Sequence, residues 1–288
     1  MHRDYNKSKD HEWLRNVKSK EKFQLKYDSR IIKDSADRIF IIIPEPLKVK
    51  VNVNVVETQD NKIRMAAIDP GVRTFSTLYD NNGNVFEYGA KDIKKIFHMC
   101  LCADNLQSRI YKKKTDGSFQ IKHRNRYKMR KAFRKIQMKI KDRVRDFHHK
   151  VAKHICMDYD FVLLPKFDTQ NMMKKKGRKL RKKTVRQMAT WSHFLFRKIL
   201  LHKAQKYGCF VKLCTEEYTS KCCSHCGNIK YNLGSQKNYY CRECKKQFDR
   251  DINASKNIMM KYLIETQIKE SLDSFELGNV GVPSPDLE

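Results

Sequence analysis

Met65–Asp80 reads MAAIDPGVRTFSTLYD. Its first half is an apolar run that stops at Asp69, where Pro70 and Gly71 end a strand and turn the chain. The reading is a buried strand presenting one carboxylate at its end. TFSTLYD (74–80) reads as a second strand, NNGN (81–84) as a tight turn and VFEY (85–88) as a third strand. Three strands joined by short turns predict an antiparallel start to a sheet.

Downstream the period changes. From Lys122 to Ile155, Phe133, Ile136, Ile140, Val144, Phe147, Val151 and Ile155 recur at spacings of three and four. That is one apolar stripe on a long helix. FVLLP (161–165) reads as a buried strand, Trp191–Tyr207 as an amphipathic helix and CFVKLC (209–214) as another strand. A last helix runs from Asp251 to about Lys269. The order β-β-β-α-β-α-β-α is that of an α/β, RNase H-like mixed sheet flanked by helices. Upstream, residues 1–35 are polar with weak helical patterning. IFIIIP (39–44) and the alternating LKVKVNVNVV (47–56) read as two short strands separated by prolines. The expected division is residues 1–63 as the remnant of an N-terminal β region and 64–221 as the core. A ribbon at 222–248 then interrupts it, 249–270 completes it, and 271–288 form a disordered tail.

Cys223 and Cys226 are two residues apart, as are Cys241 and Cys244, with fourteen residues between the pairs. Two such knuckles supply four thiolates for tetrahedral zinc, and that set leaves no open position for chemistry, so the expected role of Zn²⁺ is structural. Gly227 suits the turn after the first knuckle. Cys222 is a spare neighbour, and Cys100, Cys102, Cys156, Cys209 and Cys214 read as core or incidental.

Carboxylates stand at the ends of several predicted elements: Asp69 after the first strand, Asp168 beyond FVLLP, Glu216 and Glu217 after CFVKLC, and Asp251 opening the last helix. Hard oxygen ligands gathered from separate elements are what paired Mg²⁺ ions need. Each also has an ordinary reading as a turn, cap or solvated residue.

Taken together, AAIDPGVRTFSTLYD, DFHHKVAKHI, LLPKFDTQNM, EEYTSKCCSHCG and YYCRECKKQFDRDINASKNI, in that order, resemble the OrfB/TnpB transposon-associated proteins and their eukaryotic and viral Fanzor relatives. The resemblance covers roughly residues 64–260. It implies an RNA-guided DNA endonuclease with a Mg²⁺-dependent RuvC-like site, in which Asp69 is the first catalytic acid and Asp251 the last. Bacterial relatives place a Glu at the end of the central strand, where this chain has Pro165. Fanzor-like members use the Glu of a Glu-x-Tyr-Thr-Ser pattern, which maps to Glu216, with Glu217 and Asp168 as alternates for the middle acid. The resemblance also implies a longer N-terminal part, a wedge barrel with recognition helices, whereas 68 residues precede Asp69 here. A compact member and a truncated, catalytically inactive binder of nucleic acid both remain open at this point.

The charge balance points to a polyanionic partner. Lys and Arg number 62 against 32 Asp and Glu, a net charge of +30. Lys122–Lys150 holds thirteen basic residues and two Asp, and Lys174–Arg186 nine basic residues and no acid. The expected phosphate contacts are Arg124, Arg126, Lys128, Arg130, Lys131 and Arg134 on the helix, and Lys175, Lys176, Arg178, Lys179 and Arg181 in the loop. Nucleic acid is the expected partner, and the resemblance implies that it is DNA together with a guide RNA. No apolar run is long enough to span a membrane. Cysteines without a secretory signal imply an intracellular protein, and KKKGRKLRKK (174–183) a nuclear one in a eukaryotic host. Tyr111 and Tyr127 are candidates for stacking on bases, while Trp191 and Phe196 read better as core.

Overall fold

The computed structural model describes residues 24, 26–49, 63–90, 92–174, 180–234 and 236–278. The chain divides into two compact units, residues 1–47 and 48–288.

In the first unit β1 (Arg30–Lys33) pairs antiparallel with β2 (Ile39–Ile42). The strand at 39–42 is the one expected; that at 30–33 corrects the weakly helical reading of the region. Turn chemistry explains it. Asp34 Oδ1 accepts from the backbone of Ala36 and Arg38, its Oδ2 pairs with the Arg38 guanidinium at 2.6 Å, and Asp37 takes φ 65°. Residues 43–49 form no strand, and the alternation expected at 50–56 lies outside the described residues.

The second unit is built on β3 (Met65–Pro70), β4 (Ser76–Asp80), β5 (Val85–Tyr88), β6 (Phe161–Pro165) and β7 (Phe210–Cys214). Their order in the sheet is β5-β4-β3-β6-β7. The pairs β5–β4 and β4–β3 are antiparallel, and β3–β6 and β6–β7 parallel. This is an RNase H-like mixed sheet, as the element order predicts. The central β3 is apolar on both faces because both are covered. Ala66 and Ile68 pack with α1 (Asp92–Tyr111), α2 (His123–Asp158) and α5 (His193–Tyr207). Ala67 and Leu163 pack with Ile258 and Met259 of α6 (Arg250–Gly278) on the other face.

The stripe on α2 is the one predicted: Ile140, Val144, Val151 and Ile155 are buried, and Ile136 and Phe147 pack partly buried against the same cluster. Two helical readings need correction. Trp191–Tyr207 is not one helix, because Ser192 adopts φ 49° and divides α4 (Lys182–Trp191) from α5. α6 runs on to Gly278, so the first eight residues of the expected disordered tail are helical. Ile264, Ile268, Leu272 and Phe275 continue a three-to-four spacing that earns the extension. Residues 279–288 lie outside the described residues.

The loop after Asp69 is pinned from inside. Phe75 is fully buried, stacked on His193 (4.8 Å between centroids, 2° between planes) and edge-on to Phe147 and Phe196. Trp191 Nε1 donates to the Val72 carbonyl at 3.1 Å. Gly71 is required, since a Cβ there would meet the Thr74 carbonyl oxygen at 2.5 Å. Burial pushes both His148 and His193 down to a pKa of about 4, so both are neutral core members.

Candidate active site

Strand parity decides which carboxylates can meet. Ala67 faces α6, so Asp69, two residues on, faces α6 as well. Pro165 pairs with Cys214 across β6–β7, and Cys214 packs on the α6 side. Glu216, two residues past Cys214, continues on that face, whereas Glu217 falls on the opposite parity and is exposed. Asp251 lies in the first turn of α6 and completes the cluster.

The electrostatics follow this geometry. Asp69 is held well above the usual carboxylate range, first by burial and then by the charges of Asp251 and Glu216, with Arg250 opposing. Asp251 is raised by burial and by Asp249, and relieved by Arg250, Arg73 and Lys237. Burial also raises Glu216. None of the three carboxylates accepts a hydrogen bond from a described residue. Among the described residues, the only group of three or more ligand atoms within 4.8 Å of one another is the cysteine set, so the carboxylates stand in electrostatic range rather than in contact. Their hard oxygens and mutual repulsion suit a divalent cation.

Two neighbouring acids are already employed. Asp249 Oδ1 accepts from the backbone N–H groups of Asp251 at 2.9 Å and Ile252 at 3.4 Å, and so caps α6. The cap expected of Asp251 belongs to Asp249, which leaves Asp251 uncommitted. The spacing Asp-x-Asp at the start of a helix was the available signal for this division. Asp168 is exposed and caps α3 (Thr169–Met173), accepting from the Asn171 backbone at 3.1 Å and from its side chain. Pro165 ends β6 and offers no ligand.

The four cysteines converge. Sγ of Cys223 and Cys244 are 3.7 Å apart, Sγ of Cys226 and Cys241 3.6 Å, and all four lie within 4.8 Å of one another. A tetrahedron with Zn–S bonds of about 2.3 Å has edges of about 3.8 Å, so the set can hold zinc. The second knuckle sits between β8 (Asn238–Tyr240) and β9 (Gln247–Asp249). α6 grips the first. Asn253 Oδ1 accepts from the Ser224 N–H at 2.8 Å, and its Nδ2 donates to the Cys222 carbonyl at 2.7 Å. Asn257 Nδ2 donates to the carbonyls of Thr219 (2.8 Å) and Cys222 (2.7 Å). Thr219 Oγ1 in turn donates to the Glu216 carbonyl at 2.8 Å. The ribbon, Glu216 and Asp251 therefore form one hydrogen-bonded assembly. Sequence reading missed both asparagines, whose spacing of four puts them on one helix face.

Of the expected phosphate contacts, Arg124, Lys128, Lys131 and Arg134 on α2 are exposed, as is Arg181 before α4. Arg126 is engaged within the protein: its Nε donates to the Ile110 carbonyl at 3.1 Å and its guanidinium lies 3.2 Å from the Phe119 ring centroid. Arg130 is half-buried, with Nε enclosed. Lys175, Lys176, Arg178 and Lys179 lie outside the described residues. Trp191 and Phe196 are core, while Tyr111 and Tyr127 are exposed. No helix among the described residues is long and apolar enough to cross a membrane.

The chain is similar to known proteins over most of its length. Residues 47–176 match the OrfB_IS605 "Probable transposase" family and residues 193–258 the "Cas12f1-like, TNB domain" family. A putative transposase of Paramecium bursaria Chlorella virus 1 is 38% identical over 72% of this chain and 45% of its own length. A TnpB-like protein of Acanthamoeba polyphaga mimivirus is 30% identical over 78% of this chain and 41% of its own. A putative RNA-guided DNA endonuclease of Streptomyces pristinaespiralis is 27% identical over 53% of this chain and 37% of its own. A solved Cas12f1–sgRNA–target DNA complex is 17% identical over 68% of this chain and 49% of that chain, with a TM-score of 0.48. The chain thus spans less than half the length of the first two relatives. On these matches and the motifs that carry them, the chain belongs to the OrfB/TnpB family of transposon-associated proteins.

Proposed function

We propose that this chain is the nuclease core of a metal-dependent DNA endonuclease of a transposable element, directed by a guide RNA. The observation that carries the reading is the set of three uncommitted carboxylates, Asp69, Glu216 and Asp251, brought into electrostatic range from β3, the turn after β7 and the first turn of α6. Asp69, on which both other charges act, is the central ligand, with Glu216 and Asp251 at either side. Asp69, Glu216 and Asp251 would hold magnesium, which would polarise the scissile phosphate and help activate the attacking water. The chain's own part is to hold the three oxygens on one face of the sheet, to keep competing hydrogen bonds off them, and to place cations around them. Arg250, Arg73 and Lys237 near Asp251 suit the phosphates flanking the cut. Guide RNA use is supported by the similarity to a putative RNA-guided DNA endonuclease and by the exposed basic residues of α2, which suit a duplex backbone.

The test is cleavage by the purified chain with whatever RNA accompanies it. The expected result is Mg²⁺-dependent cutting of DNA that stops when Ca²⁺ replaces Mg²⁺ or chelator is added. Salt-sensitive binding with no cutting in any divalent ion would instead make the chain a nucleic-acid-binding relative without nuclease activity.

A further inference from the structure

Strand register extends the carboxylate site beyond its three acids. Asp69 of β3 stands directly opposite Thr77 of β4, and Thr77 stands opposite Glu87 of β5. Directly opposed residues share a sheet face, so these three side chains all lie on the α6 face. Tyr79, two residues past Thr77, packs on that face with Ile258 and Met259. Asp251 shares the helical stripe of Ser255, Ile258 and Tyr262, so the first turn of α6 closes over this end of the sheet.

Thr77 is 1% exposed, and its Oγ1 is buried with no hydrogen-bond partner among the described residues. A buried hydroxyl left so is costly, and native structures seldom keep one. This one is closed to solvent, so no ligand from outside can satisfy it and its partner has to be a neighbouring side chain. Two acids flank it. Glu87 Oε1 already lies 3.5 Å from Lys237 Nζ, which also meets Asp249 Oδ2 at 3.1 Å. Asp69, on the other side, accepts no hydrogen bond from a described residue. Cβ atoms of directly opposed residues stand about 4.5–5.5 Å apart. That is within the combined reach of a threonine hydroxyl and an aspartate carboxylate, so side-chain rotation alone joins them.

We propose that Thr77 is a positioning residue for Asp69: its hydroxyl donates to one carboxylate oxygen and leaves the other turned toward the divalent cation. A hydrogen bond to an ionised acceptor is shorter and stronger than one between neutral groups. An aspartate at a strand end turns about two side-chain bonds, and Mg²⁺ demands its oxygens in a narrow octahedral geometry, so a fixed carboxylate binds it better than a free one. Thr77 acts through Asp69 and does not touch the cation. This role rests on the nuclease reading given above.

The experiment uses the zinc-loaded chain and follows Mn²⁺ binding by electron paramagnetic resonance in wild type, Thr77→Val, Thr77→Ser and Asp69→Asn. Thr77→Val keeps the shape and removes the hydroxyl. It should weaken Mn²⁺ binding about tenfold, the size of one hydrogen bond to a charged group. Without Mn²⁺ it should melt no lower than wild type, because an unpartnered polar atom has gone. Thr77→Ser keeps the hydroxyl and should bind Mn²⁺ as wild type does. Wild-type Mn²⁺ affinity in Thr77→Val overturns the proposal, as does a melting temperature well below wild type, since the hydroxyl would then serve the core. Mg²⁺-dependent DNA cutting measured in parallel separates the two readings. Unchanged affinity in Thr77→Val with cutting by wild type removes the role of Thr77 alone. Weakened affinity with no cutting by wild type removes the nuclease reading and keeps Thr77 beside a cation site. Mn²⁺ bound no better by wild type than by Asp69→Asn overturns both.

Discussion

Asp251 and Asp249 are two residues apart and do different work. Asp249 spends its oxygens on the backbone of α6 and on Lys237 at 3.1 Å, while Asp251 has neither obligation. Asp249→Ala should therefore cost about 1 kcal/mol of stability, read by chemical denaturation, because a helix cap is lost. Asp251→Asn should leave stability within about 0.5 kcal/mol. The same logic separates Glu216 from Glu217: cleavage should fall on the order of a hundredfold in Glu216→Gln and little in Glu217→Gln. Titration adds a further expectation. His148 and His193 are neutral when folded, with pKa values pushed to about 4, but take a proton near 6.5 when unfolded. Between those values the unfolded chain binds more protons at these two positions, so their contribution to stability falls as pH drops from about 6.5 to about 4, opposite in sign to that of the raised carboxylates. Thermal melts of wild type and His148→Phe at pH 7 and pH 5 check this, because the carboxylate contribution cancels between them; an equal shift in both would contradict it. The carboxylates at element ends and the four cysteines were legible in the sequence because strand ends and Cys-x-x-Cys spacing are local signals. The division of labour between Asp249 and Asp251 was not, since a cap and a ligand look alike until the backbone N–H groups are placed.

At the scale of elements, the ribbon and α6 are one device. Asn253 and Asn257 tie the first knuckle and the Thr219 turn to α6, whose first turn holds Asp251. Zinc removal should thus loosen two of the three acids as well as the ribbon. Asn257→Ala takes the side-chain donor from the Thr219 carbonyl and leaves the Cys222 carbonyl with Asn253 alone, and should cost about 1–3 kcal/mol. If the brace acts as described, chelation of zinc will weaken Mn²⁺ binding, followed by electron paramagnetic resonance, as well as lower the melting temperature. A melting shift with unchanged Mn²⁺ affinity would show the ribbon to be independent of the site. α2 was legible because its stripe runs for seven positions. α1 was passed over, although Ile93, Ile96, Cys100, Ala103 and Ile110 follow the same spacing and are buried. Two of those five buried positions, Cys100 and Ala103, are small and stand out little as a stripe. The division at Ser192 was equally hidden, since a single left-handed residue leaves no trace in periodicity.

For the whole molecule the governing quantity is the net charge of +30. Affinity for nucleic acid should drop by about 10³ or more between 50 and 200 mM salt, because several phosphates are neutralised and their counterions released. A shallow salt slope would mean that the basic residues are mostly occupied within the protein, as Arg126 already is. The fold as a whole followed from element order, since antiparallel strands followed by parallel ones leave few alternative sheets. The measurement that bears most directly on the account is Mg²⁺-dependent DNA cleavage by wild type, Asp69→Ala, Glu216→Ala and Asp251→Ala side by side with Asp168→Ala. The account predicts cutting by wild type and Asp168→Ala, and its loss in the other three. Cutting that survives in Asp69→Ala or Asp251→Ala, or that disappears in Asp168→Ala while Glu216→Ala cuts normally, would contradict it.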